Sequence, residues 1–261
     1  MDLRALSPTK LVKRGSYFES SRAPRYSLVF ALPLLLAYEG LAAVLAGPGR
    51  ASQVRNGADV LLKQVFISLA GPHGPLVFIA AVIGLSVWFV ARDLKRSGQR
   101  LQPRVFGTML GESMLLAALF GIVIGTVTVK LMGSLHMLMV IAPETPQRLS
   151  DFGWPTRLML SLGAGLYEEL LFRVLLVSAL AAGARSLFGW SLRAAGVFAA
   201  VAGALVFSAF HYVGPYGDPF EMQSFVFRAI SGLAFSALYL LRGFGITAWT
   251  HALYDAYLLL L

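Results

Sequence analysis

Residues 107–131 read GTMLGESMLLAALFGIVIGTVTVKL, and this stretch decides the fold class. It carries one acidic residue, Glu112, and one basic residue, Lys130, in a run of otherwise apolar, small or hydroxyl-bearing side chains. About 20 such residues cross the hydrocarbon core of a bilayer as an α-helix. Lipid offers no partner to backbone polar groups, so a helix that bonds its own backbone is the expected form. The stretch therefore predicts a transmembrane helix.

The rest of the chain has the same character. Hydrophobic residues make up 57% of it and charged residues 13%, against about 25% charged in a typical soluble domain. Six further apolar runs are long enough to be spans: 26–47, 75–92, 157–182, 193–213, 222–241 and 244–261. The mixed segment 58–70 is shorter and predicts an interfacial helix. We predict an all-α, polytopic transmembrane bundle of about seven spans with one or two short interfacial helices.

The net charge of +9 is concentrated in two segments. One is the leader 1–25 and the other is the loop 92–106, and both adjoin apolar spans. Clusters of Lys and Arg beside spans mark cytoplasmic flanks, where they meet anionic lipid head groups. We therefore expect a multi-pass protein of the plasma (inner) membrane with a cytoplasmic N-terminus, and we do not expect nucleic acid as a partner.

The chain is predicted to form one transmembrane domain. Residues 1–25 are a basic cytoplasmic leader, residues 26–261 are the membrane domain, and residues 157–261 carry the chemically interesting motifs. The sequence contains no cysteine, which excludes disulfides, thiolate metal sites and cysteine nucleophiles.

Ionisable residues are concentrated in the later spans. An acid or base at membrane depth costs about 2.5–3.5 kcal/mol on insertion scales, so each such residue is a candidate for function. The candidates are Glu168, Glu169, Arg173, His211, His251 and Asp255. Two further acids, Glu39 and Glu112, are expected to form hydrogen bonds between helices instead.

Helical spacing assigns different roles to the two adjacent acids. Glu169 and Arg173 are four residues apart, which predicts a structural ion pair on one face. Glu168 is rotated from Glu169 by about 100° in an α-helix and so lacks that partner. A buried carboxylate without a counter-charge is suited to accept a proton, and we predict that Glu168 is a general base.

The later motifs repeat this spacing. His251 and Asp255 share one helix face, and so do His211 and Phe207, which is expected to pack against the imidazole and orient it. If the three faces converge, Glu168, His211, His251 and Asp255 form one polar cavity. Such a cavity can deprotonate a water molecule and donate hydrogen bonds to an oxyanion.

The ordered motifs resemble those of a known family. Glu168-Glu169-x-x-x-Arg173, Phe207-x-x-x-His211 and His251-x-x-x-Asp255 are similar to the motifs of the CAAX protease and bacteriocin-processing family of intramembrane endopeptidases, also called the Abi family. The resemblance covers about residues 157–261. It implies that Glu168 and His211 activate water and that His251 and Asp255 hold the oxyanion or complete the polar site. The last family position is Asn or Asp, and Asp255 is expected mainly to orient His251.

The resemblance leaves open whether the protein uses a metal cofactor. The family has also been described as metal-dependent, and His211, His251, Glu168 and Asp255 could supply the nitrogen and oxygen ligands of a zinc site. The helical motif HExxH of common zinc proteases is absent. We favour hydrolysis without a metal cofactor.

Other functions remain possible for the same residues. A transporter or channel could use the buried Glu, His and Asp side chains to handle protons or metal ions, although the sequence shows no internal repeat of the kind common in transporters. A non-catalytic membrane scaffold or immunity protein is the other alternative. The expected partners of the protease are the lipid bilayer and a membrane-embedded or lipid-anchored peptide. Its substrate could be a prenylated tail, a signal-peptide remnant or a bacteriocin precursor.

Overall fold

The computed structural model describes residues 16–46, 54–132, 152–214 and 217–260. Its helices are α1 Tyr17–Arg22, α2 Pro24–Val44, α3 Gly57–Ala70, α4 Gly74–Ser97, α5 Pro103–Met132, α6 Trp154–Phe188, α7 Leu192–Phe210, α8 Met222–Arg242 and α9 Phe244–Leu260. A single turn of 3₁₀ helix at Gly71–His73 joins α3 to α4. Within these ranges the regular structure is entirely helical, which confirms the predicted all-α bundle.

The polytopic character of the bundle is also confirmed. Among the described residues, six candidate spans are long and apolar enough to cross a membrane: α2, the α3–α4 unit, α5, α6, α7 and α8. The seventh predicted span is α9, which has 17 residues and a length of about 25 Å at 1.5 Å per residue. It lies inside the bundle and packs against α2, α5, α6 and α8.

The segment predicted as an interfacial helix is α3, and it enters the bundle. Asn56, Ala58 and Asp59 at its start are buried, and α3 contacts the middle of α6. The helix then folds back on α4, where the rings of Phe66 and Phe78 lie 5.2 Å apart. The first turn of α3 is therefore part of the protein interior, because its polar groups find partners there.

The end of the predicted leader is structured. Residues 1–15 lie outside the described part of the chain, but α1 follows, and its Ser21 is fully buried. Arg25 lies in α2 and is also buried, because its guanidinium donates to Asp93 and to Gln99 at 2.9 Å each. The helix α2 thus begins at Pro24, before the boundary predicted at residue 25.

The fourth predicted span departs from α-helical geometry. Residues Ala164–Val177 in the middle of α6 form a π-helix, flanked by α-helical Trp154–Gly163 and Ser178–Phe188. The rotation of 100° per residue used to separate Glu168 from Glu169 therefore does not apply. Both acids lie inside the bundle, 8% and 0% exposed. Departures of this kind from regular α-helix occur frequently at functional sites.

Close backbone packing places α9 at the centre. A Cβ at Gly165 of α6 would collide with the carbonyl oxygen of Ala248 and with Ala252, and a Cβ at Gly245 would collide with the backbone at Ser27 of α2. The Gly245 N–H also donates to Ser27 Oγ at 2.7 Å. Glycine allows these approaches because it has no side chain, and the residues of α9 are thereby carried into the interior.

Basic residues gather at one end of the bundle, which we call the basic end. It contains the start of α2, the end of α4, the loop 98–102, the start of α5 and the turn at Gly243 between α8 and α9. Tyr26 accepts a hydrogen bond from the Gln102 N–H across it at 2.9 Å. Since α8 ends there and α9 begins there, the end of α7, the start of α8 and the end of α9 lie at the opposite end.

Candidate active site

Glu168 lies in the π-helical part of α6 with its carboxylate inside the protein. Its Oε1 accepts a hydrogen bond from Asn56 Nδ2 at 2.8 Å. Its Oε2 is buried and has no hydrogen-bond partner among the described residues. An unsatisfied buried carboxylate oxygen is uncommon in folded proteins and calls for a ligand, a water molecule or a chemical role.

Glu169 shares with Glu168 a buried Oε2 without a hydrogen-bond partner among the described residues, but its other oxygen has different partners. Its Oε1 lies 3.1 Å from Arg173 Nη1, so the ion pair predicted from the spacing is present. The same oxygen accepts a hydrogen bond from His251 Nδ1 at 2.7 Å. The side chains of Glu169 and Arg173 are 0% and 1% exposed. Glu169 therefore joins α6 to α9 in addition to pairing within its own helix.

His211 lies directly after the last residue of α7. Its Nδ1 donates to the carbonyl oxygen of Phe207 at 2.8 Å, because a carbonyl can only accept. In the neutral imidazole this bond leaves Nε2 as a hydrogen-bond acceptor. The Phe207 ring also contacts His211 edge to face, with centroids 4.9 Å apart. Phe207 thus contacts the imidazole through both its backbone and its ring, in line with the orienting role predicted for it.

His251 is held from two sides. Its Nδ1 donates to Glu169, and its ring stacks on Phe235 of α8 at 4.3 Å. Its Nε2 lies 3.7 Å from Asp255 Oδ2, which is an ion-pair distance. Asp255 was predicted to orient this imidazole, whereas the short hydrogen bond of the ring is donated to Glu169. The difference arises from the packing of helices, because the close approach of α6 to α9 at Gly165 places Glu169 beside the His251 ring.

The three motifs lie close together in the structure, which is the condition that the sequence analysis set for a shared polar site. Glu168 lies close enough to both histidines to interact with them electrostatically. His251 interacts with Asp255 in the same way, and Asp255 with Glu168. We call Glu168, His211, His251 and Asp255 the site cluster. The Phe207 ring contacts both imidazoles and the Phe235 ring stacks on His251, and apolar surroundings of this kind strengthen electrostatic interactions.

The side chains as they stand do not fit a zinc site. Within the described ranges, no group of three His, Asp or Glu side chains has the spacing of metal ligands. The Nδ1 atoms of both histidines are already hydrogen-bonded, to Phe207 and to Glu169. Each histidine therefore offers only Nε2 to anything bound between them.

Two contributors to the site were missed by sequence reasoning. Asn56 lies 112 residues before its partner Glu168, in a segment expected outside the spans. The available signal was its position as an N-cap before Gly57-Ala58-Asp59, which marks a helix start and nothing about catalysis. Arg228 of α8 interacts electrostatically with both His211 and Asp255, and no motif included it.

The comparison with protein families agrees with the motifs. Residues 150–257 match the family model described as type II CAAX prenyl endopeptidase Rce1-like, and this range contains all three motifs. No curated protein and no solved structure matches the chain. The protein is therefore a polytopic membrane protein whose segment 150–257 is similar to the type II CAAX prenyl endopeptidases of the Rce1-like family.

Proposed function

We propose that the protein is an intramembrane endopeptidase that hydrolyses a peptide bond of a membrane-associated protein or peptide through a water molecule activated by Glu168. The observation that carries the proposal is the buried, unpartnered Oε2 of Glu168, which lies within electrostatic reach of His211 and His251. A base with one free oxygen and two imidazoles beside it has the components needed to activate water.

The first step is the activation of water. A water molecule between the two side chains donates one hydrogen to Glu168 Oε2 and the other to His211 Nε2. His211 can accept because its own hydrogen is on Nδ1 and bonded to Phe207. As the water oxygen attacks the carbonyl carbon, its proton moves to Glu168 and the carbonyl oxygen becomes an oxyanion.

The second step stabilises and then breaks the tetrahedral intermediate. His251, protonated and bonded through Nδ1 to Glu169, donates from Nε2 to the oxyanion, and Asp255 helps to hold that end of the ring. Fixed donors aimed at a developing charge provide a large share of catalysis in many enzymes. Glu168 then passes its proton to the amide nitrogen. The carbon–nitrogen bond breaks, and the products are an amine and a carboxylic acid.

We further propose that the reaction uses no metal cofactor. The support is the arrangement of the acids and histidines, of which no three within the described ranges have the spacing of metal ligands. Activity of the purified protein is expected to survive dialysis against a chelator. Loss of activity that returns on adding zinc would overturn this part of the proposal.

The proposed location is the plasma (inner) membrane with the N-terminus in the cytoplasm. The leader 1–25 and the loop 92–106 together carry half of the 22 basic side chains, and positive clusters beside spans are retained on the cytoplasmic side.

The experiment compares membrane peptides in cells that carry the wild-type protein or the Glu168→Gln variant. The substitution keeps the shape of the side chain and removes the base. A membrane-associated precursor should accumulate and its fragments should disappear in the variant. Glu221→Gln is the matched control, because Glu221 is exposed at the start of α8. An unchanged set of peptides together with altered proton flux would indicate a transporter instead.

A further inference from the structure

We propose that Asn56 is a positioning residue for Glu168, which holds one carboxylate oxygen so that the other stays free to bind the attacking water. The catalytic part of this inference rests on the proposed function, whereas the contact itself rests on geometry alone. None of the three motifs includes Asn56, which directly precedes α3 and lies 112 residues before Glu168.

The contact between the two side chains is short and enclosed. Asn56 Nδ2 donates to Glu168 Oε1 at 2.8 Å, and the two residues are only 7% and 8% exposed. Hydrogen bonds to carboxylates are among the strong ones, and exclusion of water strengthens them further. Because a carboxylate is planar and rigid, a partner that fixes one oxygen also restricts where the other can lie.

The start of α3 decides which way the amide of Asn56 points. Its Oδ1 accepts hydrogen bonds from the backbone N–H groups of Ala58 at 2.9 Å and Asp59 at 3.4 Å. A backbone N–H can only donate, so the atom that faces the helix must be the amide oxygen. The amide nitrogen is thereby turned to Glu168. The N-cap of α3 thus sets the orientation of a group in the site.

A second set of contacts holds the backbone beside this amide. The N–H of Asn56 donates to the Tyr38 hydroxyl at 3.3 Å, and that hydroxyl donates to Asp59 at 2.8 Å. Lys63 Nζ lies 2.7 Å from Asp59 Oδ1 and 2.7 Å from Glu39 Oε1. The amide is therefore held in place by α2 and α3, independently of its bond to the carboxylate.

Glycines allow this segment to approach the helices that carry the first two motifs. A Cβ at Gly163 of α6 would lie 2.5 Å from the Tyr38 ring and 2.9 Å from the Cβ of Asn56. A Cβ at Gly57 would lie 3.1 Å from the ring of Phe210, the last residue of α7. The start of α3 therefore packs against both α6 and α7.

An amide suits the task because it carries no charge. Arg242 donates to both oxygens of Glu112 and supplies a counter-charge as well. Asn56 bonds a single oxygen of Glu168 and neutralises nothing, so it can orient the carboxylate and leave it able to accept a proton.

The packing of α6 in this region does not depend on Asn56 alone. Tyr167, the residue before Glu168, donates to Glu39 Oε1 at 2.5 Å. Its ring also lies edge to face against that of Tyr38, with centroids 5.1 Å apart. Loss of the amide should therefore disturb the orientation of the carboxylate more than the position of the helix.

The two ends of the Asn56 side chain can be separated by substitution. Ser and Thr keep an oxygen that can cap α3, but they are one bond shorter and have no amide nitrogen. With the peptide that accumulates in Glu168→Gln cells as substrate, kcat of Asn56→Ser and Asn56→Thr should fall about 10- to 100-fold, the range found when groups that orient metal ligands are removed elsewhere. KM should stay near its wild-type value, because the lost contact acts on the base and not on the bound peptide.

Two control variants separate positioning from helix capping. Asn56→Ala loses both the cap and the donor, so it should lower the thermal midpoint further than Asn56→Ser does. Ser191→Ala removes the exposed cap bond to the Ala194 N–H, at the opposite end of α7 from His211. It should lower the thermal midpoint and leave kcat per folded molecule unchanged. An unchanged kcat in both Asn56→Ser and Asn56→Thr, or a fall that matches the loss of folded protein, would refute the inference.

Infrared difference spectroscopy tests the contact without a substrate. The carboxylate stretching bands of Glu168 are those that Glu168→Gln removes, and their frequencies depend on the hydrogen bonds that the oxygens accept. Asn56→Ser should shift these bands, and it should leave the carboxylate region unchanged when Glu168→Gln is already present. If Glu168→Gln leaves the membrane peptides unchanged, the proposed function fails, but a band shift still supports the positioning contact. Bands that do not move in Asn56→Ser would overturn the inference even where Glu168→Gln blocks proteolysis.

Discussion

Two carboxylates of the same bundle, the partly buried Glu112 and the buried Glu168, differ in how their oxygens are used. Glu112 lies near the basic end in what we call the latch cluster, formed by Tyr17, Ser21, Glu112 and Arg242. Its Oε1 accepts from Arg242 Nε at 2.5 Å, and its Oε2 accepts from Arg242 Nη2 at 2.7 Å and from Tyr17 at 2.5 Å. Glu168 has one bonded oxygen and one free oxygen.

The difference indicates which of the two acids has an oxygen free to bind a water molecule or to accept a proton. In the latch cluster every carboxylate oxygen is bonded, and the interaction ties α1 and α5 to the end of α8. A fully bonded acid stabilises the fold and has no capacity left for a ligand. In the site cluster the free oxygen of Glu168 is maintained at an energetic cost that the surrounding packing must offset. Substitutions in the two clusters should therefore affect different properties.

The largest effect on activity is expected from Glu168→Gln. Loss of a general base lowers the rate by about 10²–10⁴-fold, while the amide still accepts a hydrogen bond from Asn56, so the thermal midpoint should change little. Turnover of the recovered peptide and thermal unfolding in detergent measure the two properties. If Glu168→Gln instead unfolds at a much lower temperature than the wild type, Glu168 stabilises the fold as Glu112 does, and the proposed difference between the two acids is wrong.

The largest effect on stability is expected from Glu112→Gln. The charged hydrogen bonds to Arg242 and Tyr17 are weakened, and hydrogen bonds to charged groups contribute about 1.5–3 kcal/mol each. The thermal midpoint should fall clearly, while the activity of the molecules that remain folded should persist. If activity per folded molecule instead drops as far as in Glu168→Gln, the two clusters are not functionally distinct.

A moderate effect on both stability and activity is expected from Gly165→Ala, which tests the packing of α9 against α6. The added Cβ would collide with Ala248 and Ala252, and overpacking of this kind costs about 1–3 kcal/mol. Because α9 carries His251 and Asp255, activity should fall together with stability. Gly111→Ala is the control, since nothing lies within 4 Å of its Cβ position. Equal behaviour of the two variants would contradict the packing described for α9.

The smallest effect is expected from Asp255→Asn. His251 is held at Nδ1 by Glu169, and the contact with Asp255 is longer at 3.7 Å. Asparagine can donate a hydrogen bond directly, so activity should stay within a few-fold of wild type. Measured kcat and KM check this. A loss as large as that of Glu168→Gln would show that Asp255 holds His251 more strongly than the geometry indicates.

Much of the site could be predicted because several of its contacts join residues that are close together in the sequence. The ion pair of Glu169 with Arg173 and the contact of Phe207 with His211 join residues four positions apart, and helical geometry fixes such contacts in advance. The hydrogen bond from Asn56 to Glu168 and that from His251 to Glu169 join distant residues. No local pattern encodes them, so they could not be predicted.

The sequence by itself determined that the protein is a helical membrane bundle, because long apolar runs with few charges can satisfy their backbone only as helices in lipid. It also determined which acids and histidines are candidates, since each is expensive at that depth. Only the tertiary structure decided which oxygen of Glu168 stays free and what holds His251. These features depend on contacts between helices, and a one-dimensional pattern does not specify them.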